Sequence, residues 1–412
     1  MESDKVFVVI GGGEAGGKAV QTLREEGFGG KIVLVAAEDR LPYERPPLSK
    51  SYLQGEPYKS EGSLQDEQWY QDHDIDLRLG CRAVSVNRAD HEVQLDDGTR
   101  LAYDKLLIAT GAQPRTLDVP GADLAGVHYL RTMKDADALG NSLESKPRVV
   151  IVGAGWIGLE VAAVARQRGC DVTVIEPNDI PLQASMGSRI GKFFAQVHRE
   201  HGVSFSFGQG VTAFTGTSTV AAVVTEDGTE TPAHVVVVGV GVRPDVALVD
   251  ADLLADDGGV LVDEQMRTAD PDVFAAGDIA SVDNALYGHR IRVEHWANAL
   301  MGGKIAAQSM LGRDSEFDPA PFFFTDQYDL GMEYAGWVDA QAAGDPVIRG
   351  DMDASSFHAF WLTDGVVVAG MHVNSWDEGI APVQKLIRGK VRVDPTRLAD
   401  TSVPLSDLIP KD

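Results

Sequence analysis

The chain has 412 residues, enough for two or three domains, with an ordinary globular balance of 44% hydrophobic and 24% charged residues. Sixty-two acids against 36 lysines and arginines give a net charge of −26. That balance argues against nucleic acid or an anionic membrane as the main partner, because either must be met by clustered cations.

No apolar run approaches the roughly 20 residues of a membrane span, and the N-terminus enters a strand with no signal-peptide pattern. Cys81 and Cys170 fit neither a Cys-x-x-Cys nor a metal-ligand spacing. We expect two inert thiols in a reducing, cytoplasmic compartment, with no structural disulfide and no metal.

In chain order, Val6–Ile10 (VFVVI) reads as a buried strand. It runs into a Gly-x-Gly-x-x-Gly turn at Gly11, Gly13 and Gly16, then a helix to about Glu26 and a strand Lys31–Ala36. Leu41–Gly62 is rich in proline and charge, and Val93–Gly98 and Leu101–Ala109 are strand-like. The opening pattern then recurs. Val149–Val152 leads into Gly153, Gly155 and Gly158, a helix to Arg168 closed by Gly169, and a strand Asp171–Ile175. Val235–Val242 is the longest apolar run and is expected to be one buried strand, with Val273–Ala276 as another. Beyond Pro319 the alternation in Phe357–Leu362 and Val366–Met371 predicts an antiparallel α+β region. Boundaries are expected near 113, 246 and 320.

A Gly-x-Gly-x-x-Gly turn admits a pyrophosphate close to the backbone, and the helix behind it offers unpaired N–H groups and the positive end of its dipole. Each copy here sits between a strand and a helix, so the chain is expected to bind two dinucleotides. Glu176 directly follows the strand of the second unit, where a carboxylate accepts hydrogen bonds from a ribose 2′-hydroxyl and repels a 2′-phosphate. No Lys or Arg occurs from Pro177 to Ser188, so this site reads as NAD rather than NADP. In the first unit the corresponding acid is Glu38, about one position later than the pattern expects.

Leu41-Pro42-Tyr43-Glu44-Arg45-Pro46-Pro47-Leu48-Ser49-Lys50 resembles the flavin-contacting loop of the FAD-dependent ferredoxin reductases of oxygenase systems, the putidaredoxin reductase and rubredoxin reductase group. The likeness continues through Ala109–Arg115, Tyr129–Thr132, Gly158-Leu159-Glu160, Gly239–Pro244, Val273–Asp278, Glu294–Ala299 and Thr325–Leu330. It spans the chain in order.

The resemblance implies an α/β fold with two Rossmann-like, glutathione-reductase-like dinucleotide-binding domains and a C-terminal α+β reductase-type dimerisation domain. Residues 1–112 and 247–320 are then a discontinuous FAD-binding domain, 113–246 an NAD-binding domain, and 321–412 the C-terminal domain.

It further implies FAD contacts from Gly11, Gly13, Gly16, Glu38, Arg45, Lys50, Val84, Thr110, Gly111, Arg131, Asp278, His295, Trp296 and Phe324. NADH contacts are implied for Gly153, Gly155, Gly158, Glu160, Glu176 and Gly241. Lys50 is expected beside the isoalloxazine, where a cation stabilises the electron-rich reduced ring, with Glu160 as its partner on the nicotinamide side. Arg45 and Arg131 suit the FAD pyrophosphate, and Asp278 a ribityl hydroxyl. Phe324 stands where the family has Trp, and is expected to line the flavin.

The implied activity is passage of electrons from NADH through FAD to a [2Fe–2S] ferredoxin or rubredoxin that serves an oxygenase, by a monomer or homodimer. Two other activities stay open. One is an NADH-dependent redox sensor or scaffold in the manner of apoptosis-inducing factor; the other is reduction of a small radical of the monodehydroascorbate type. A thiol-disulfide enzyme needs a cysteine in the loop or helix of the first unit, which this sequence lacks. An acidic partner is expected to dock on a basic island, either Lys385, Arg388, Lys390 and Arg392 with Arg397 beyond, or His289, Arg290 and Arg292.

Overall fold

The computed structural model describes residues 4–60, 62, 64–315, 320–339 and 344–410. Contacts divide the chain into two units: residues 1–44, 59–113 and 242–321, and residues 45–58, 114–241 and 322–412.

The first unit is built on a parallel sheet in the order Val273–Ala275, Lys105–Ile108, Val6–Ile10, Lys31–Ala36, Ile75–Leu79. These strands are short and β-branched, and nearly every residue of the central ones is buried, as a sheet covered on both faces demands. The helix Glu14–Glu25 makes the crossover between the first two strands in sequence. An antiparallel meander, Ala83–Asn87, Glu92–Leu95 and Arg100–Ala102, forms a separate small sheet.

The second unit repeats this plan. Its parallel sheet runs Ser204–Phe207, Asp171–Glu176, Arg148–Val152, Val235–Val238, Val127–His128, with the helix Trp156–Gln167 as the crossover. The helix ends at Gln167, and Gly169 takes a φ of +84°, the left-handed turn that only glycine enters without penalty. Its meander is Val211–Gly216, Val220–Thr225 and Glu230–Pro232.

The C-terminal part of this unit is an antiparallel sheet in the order Phe322–Gln327, Leu330–Gly336, Val366–Val373, Ser356–Thr363, Val347–Asp351. It shares one hydrophobic core with the parallel sheet and helices before it. Trp156 meets Phe194 edge-on and packs against Phe323, and Phe193 meets Phe357 edge-on. The segment 45–58 groups with this unit although it lies early in sequence.

Two expected strands are shorter than their apolar runs. Leu101–Ala109 is broken at Tyr103 and Asp104, because the chain there leaves the meander for the parallel sheet. Asp104 marks the junction: its carboxylate accepts the Val6 N–H at 2.7 Å and its own N–H donates to the Val6 carbonyl. Val235–Val242 stops pairing at Val238. The chain turns at Gly241, φ +91°, and resumes as Val242–Pro244.

His198 and His358 are buried in the second unit, where they bond to the Gln327 amide and the Gly379 carbonyl, and burial pushes both imidazoles down to about 4. In the unfolded chain they titrate near 6.5, so between pH 6.5 and 4 the unfolded state binds the extra protons. Their contribution to stability is complete above about pH 6.5 and is lost as pH falls toward 4, at roughly 1 kcal/mol per pH unit each. Urea melts across this range are expected to show the decline, and His358→Asn to flatten its slope. An unchanged slope in that variant counts against the assignment.

Candidate active site

The two glycine turns obey one geometry. Gly11 has a φ of +123°, and a Cβ there would lie 2.0 Å from the Ala109 carbonyl oxygen; Gly153, at +100°, would strike the Gly239 carbonyl at 2.4 Å. The third glycines, Gly16 and Gly158, are pressed onto the carbonyls of Gly11 and Gly153. These four are glycine because the protein leaves no room for anything else.

The middle glycines differ. A Cβ on Gly13 or Gly155 would meet nothing within 4 Å. Both are helix N-caps without a side-chain cap, at the helix ends where backbone N–H groups have no intrahelical acceptor. An open cradle at the positive end of a helix dipole fits the pyrophosphates of FAD and NADH.

The acids are held differently. Glu176, the last residue of its strand, is buried, and its carboxylate accepts the Ala154 N–H at 2.7 Å and the Asn178 N–H at 3.0 Å. The Asn178 side-chain amide donates to the same oxygen, Oε1, at 2.5 Å. The charge is thereby tied to the turn itself. Glu38 lies two residues beyond its strand, half-buried, and accepts the Tyr43 hydroxyl at 2.7 Å.

Other expected site residues in the first unit form local groups. Thr110 donates its hydroxyl to the Asp245 carbonyl at 2.6 Å, and the Gly111 carbonyl accepts the Asp245 N–H. Asp278 is buried just beyond Val273–Ala275. The protein packed around His295 pushes its imidazole down to about 4, against the opposing pull of Asp278. Trp296 opens the helix Trp296–Met310, and Val84 is 48% exposed.

In the second unit the expected catalytic pair meets. Lys50 Nζ lies 2.9 Å from Glu160 Oε1, with only 14% and 3% of the two side chains exposed. Glu160 projects from the helix that follows the second glycine turn. Ser49 donates to its Oε2, and Thr325 donates to its Oε1 at 2.6 Å. A buried carboxylate left unpaired is expensive; here a cation and two hydroxyls converge on it. Lys50 Nζ also lies 5.4 Å from the centroid of the half-buried Phe324 ring. Near this group burial pushes the Asp326 carboxyl up, opposed by Lys50 and reinforced by Glu160 and Glu333. Arg45 donates to the Arg131 carbonyl at 2.7 Å, and Gly241 is exposed in the turn after Val235–Val238.

Sequence reasoning gives no role to Ser49, Thr325, Tyr43 or Asn178. The signal for Ser49 is its place beside Lys50, and for Thr325 the Thr-Asp-Gln run, whose chemistry the sequence alone does not state. The smaller basic island is committed internally. Arg290 donates to the Val262 carbonyl at 2.7 Å and to the Ser281 carbonyl, and Arg292 donates to the Asp278 carbonyl at 3.1 Å and pairs with Glu294. Those guanidinium groups satisfy backbone carbonyls of their own neighbourhood. Lys385, Arg388, Lys390, Arg392 and Arg397 are all exposed, the first two on the helix Ala381–Arg388. No helix of the described residues is long and apolar enough to cross a membrane.

Glu176 stands where the sequence reading expects a carboxylate to favour NADH over NADPH. NADH is expected to exceed NADPH in kcat/KM by at least about tenfold, or roughly 1.4 kcal/mol, and Glu176→Arg to narrow or reverse the ratio. Steady-state kinetics with both cofactors check this; equal efficiencies in the unaltered protein overturn it.

Comparison with known proteins gives the family. Residues 5–303 match the family model described as pyridine nucleotide-disulphide oxidoreductase, and residues 322–409 match the reductase C-terminal model. Rhodocoxin reductase of Rhodococcus erythropolis is 38% identical over 400 residues, covering 97% of this chain and 93% of its own. The ferredoxin–NAD(+) reductase component of the anthranilate 1,2-dioxygenase system of Burkholderia cepacia is 38% identical, covering 98% and 99%. Among solved structures, the covalent putidaredoxin reductase–putidaredoxin complex matches with a TM-score of 0.93 at 34% identity, covering 98% of each chain. The chain belongs to the pyridine nucleotide-disulphide oxidoreductase family and, within it, to the ferredoxin reductases of oxygenase systems.

Proposed function

We propose that this protein is an NADH:ferredoxin oxidoreductase that passes electrons through FAD to a [2Fe–2S] ferredoxin, or a rubredoxin, serving an oxygenase. The observation that carries the reading is the buried Lys50–Glu160 pair on the helix of the second glycine turn. When bound, the flavin supplies the conversion from a two-electron donor to one-electron acceptors. Hydride transfer needs no protein acid or base, so the chain contributes position and electrostatics.

The first glycine turn, with Glu38, Asp278 and the backbone of Thr110 and Gly111, is assigned to FAD. The second, with Glu176 and Gly241, is assigned to NADH. Lys50 supplies a cation for the negative charge that reduction adds to the ring, and Glu160 both neutralises it beforehand and presents a carboxylate to the carboxamide of the nicotinamide. Arg45 and Arg131 are assigned to the FAD pyrophosphate, and Val84, His295 and Trp296 to the flavin cofactor's flanks. The loop and helix of the first unit hold no cysteine, and Cys170 is buried against the Leu143 carbonyl, which argues against a thiol-disulfide enzyme. We place the reaction in the cytoplasm, where NADH is supplied and free thiols persist.

Anaerobic reduction with NADH followed by stopped-flow reoxidation against a panel of [2Fe–2S] proteins and a rubredoxin tests the proposal. Rapid one-electron turnover with at least one of them is expected; slow reoxidation by all, with an NADH-dependent change of oligomeric state, points instead to a sensor. The exposed cations of 385–397 predict that the association rate falls as salt rises, and falls further in Arg388→Glu, while flavin reduction by NADH is unchanged.

Phe324→Ala is expected to change reoxidation by the acceptor severalfold, with flavin reduction less affected and most stability retained, since the ring is only half-buried. A lowered melting temperature with unaltered rates in both half-reactions removes Phe324 from the site.

A further inference from the structure

The contacts of Glu160 do not end at Thr325. The Thr325 hydroxyl accepts a hydrogen bond from Gln327 Nε2 at 3.2 Å, Gln327 Oε1 lies 2.8 Å from His198 Nε2, and His198 Nδ1 lies 3.0 Å from the Tyr328 hydroxyl. Donor and acceptor roles follow from the chemistry. A carbonyl oxygen only accepts, so His198 Nε2 carries the proton; Nδ1 is then the acceptor of the Tyr328 O–H. Thr325, having accepted from the Gln327 amide, gives its own proton to Glu160. Every donor therefore points the same way, from Tyr328 through His198, Gln327 and Thr325 to the carboxylate.

Such a row polarises along its length, and each bond strengthens the next. The members are well shielded: His198, Gln327, Thr325 and Glu160 are all buried. With its imidazole pushed down to about 4 by burial, His198 holds a single proton at neutral pH, and its two neighbours fix the tautomer.

The far end shows what the arrangement costs. Tyr328 sits in the turn between Phe322–Gln327 and Leu330–Gly336 with a φ of +57°, a region that disfavours a residue with a Cβ. Its ring is stacked on His201 with centroids 3.7 Å apart. A glycine or asparagine would fill this turn without strain, but neither would offer a phenol to His198. An apolar core at this place would need none of these groups, because replacing both partners of a buried hydrogen bond by apolar groups of like shape is nearly neutral. The polar row serves its terminus.

We propose that Tyr328, His198, Gln327 and Thr325 are positioning residues that fix the Glu160 carboxylate against Lys50 in the orientation that receives the nicotinamide. The proposal rests on the reading of Lys50 and Glu160 given above and adds the means by which the pair is aimed. Glu160 Oε1 is shared between Lys50 and Thr325, and Oε2 is taken by Ser49. Loss of the Thr325 donor frees the carboxylate to rotate about its last torsion; loss of Gln327 frees Thr325 to turn its proton elsewhere.

The test uses the FAD-loaded protein with Thr325→Val, Thr325→Ser, Gln327→Met and, as a reference, Glu160→Gln. Three quantities are measured: the NAD+ dissociation constant by titration, the rate of flavin reduction by NADH, and the rate of reoxidation by ferricyanide, each beside a thermal melt. Thr325→Val is expected to weaken NAD+ binding and slow flavin reduction by about three- to tenfold, and Gln327→Met to act in the same direction, less strongly. Thr325→Ser restores the donor and stays within about twofold of the unaltered protein, and ferricyanide reoxidation is unchanged in the Thr325 and Gln327 variants.

If Thr325→Val and Gln327→Met lower the melting temperature but keep NAD+ affinity and flavin reduction within about twofold, the row is structural and the proposal falls while the reading of Glu160 stands. If Glu160→Gln itself changes neither quantity, that reading fails and the proposal with it. Should the strand variants not fold, Tyr328→Phe at the half-buried end carries the same test, with a smaller effect of the same sign expected and no effect counting against the row.

Discussion

The second unit is organised around one buried negative charge. Glu160 sits on a helix inside the core, almost wholly removed from water, where an unpaired carboxylate costs several kcal/mol. The helix cannot neutralise it alone. Compensation comes from two distant parts of the chain, Ser49 and Lys50 from the proline-rich loop and Thr325 from the first strand of the C-terminal sheet. That requirement gives a physical reason for residues 45–58 to group with the second unit, although their neighbours on both sides belong to the first. It also seats the strand Phe322–Gln327 on this helix, so the C-terminal sheet and the second dinucleotide fold share one core.

The duplicated dinucleotide fold is read most clearly through what its glycines exclude. In each turn the outer glycines are dictated by the protein, which would otherwise clash with itself, whereas the middle glycine faces open space. Room for a group outside the chain is what that residue leaves. The two copies then diverge at the acid that follows. Glu176 ends its strand and is tied to the turn by the Ala154 N–H, while Glu38 lies beyond the strand end and is held by Tyr43. The offset seen in the sequence is thus met by a tyrosine from the proline-rich loop.

Much of this was legible in the sequence because the determinants are local. The strand–glycine turn–helix units are written in contiguous residues, and the expected strands Phe357–Leu362 and Val366–Met371 form, though most residues in them are buried where the sequence predicts alternation. Hydropathy misled where an apolar run crosses from one sheet to another. Leu101–Ala109 and Val235–Val242 are continuous in composition, yet Asp104 and Gly241 break them by hydrogen bonding and backbone geometry. The Lys50–Glu160 pair was legible only by resemblance, since no spacing rule joins residues so far apart. The row behind it was not legible at all. A buried histidine, an amide and a hydroxyl acquire a common direction only once the helix Gln183–Glu200 lies against the strand Phe322–Gln327.

The run Phe322-Phe323-Phe324 shows how the same chemistry is divided by the pleat. In a strand, successive side chains point to opposite faces, so the middle ring cannot share a role with its neighbours. Phe323 packs on Trp156 and Tyr334 and belongs to the core. Phe324, one position on, presents its ring to the Lys50 ammonium instead. A phenyl face attracts a cation less strongly than an indole and offers no N–H donor. With that weaker partner, the position of Lys50 depends chiefly on Glu160, and through Glu160 on the hydroxyls that hold it. With phenylalanine at this position, the burden of placing the cation falls on the carboxylate rather than on the aromatic wall, and the carboxylate is where this chain has concentrated its hydrogen bonds.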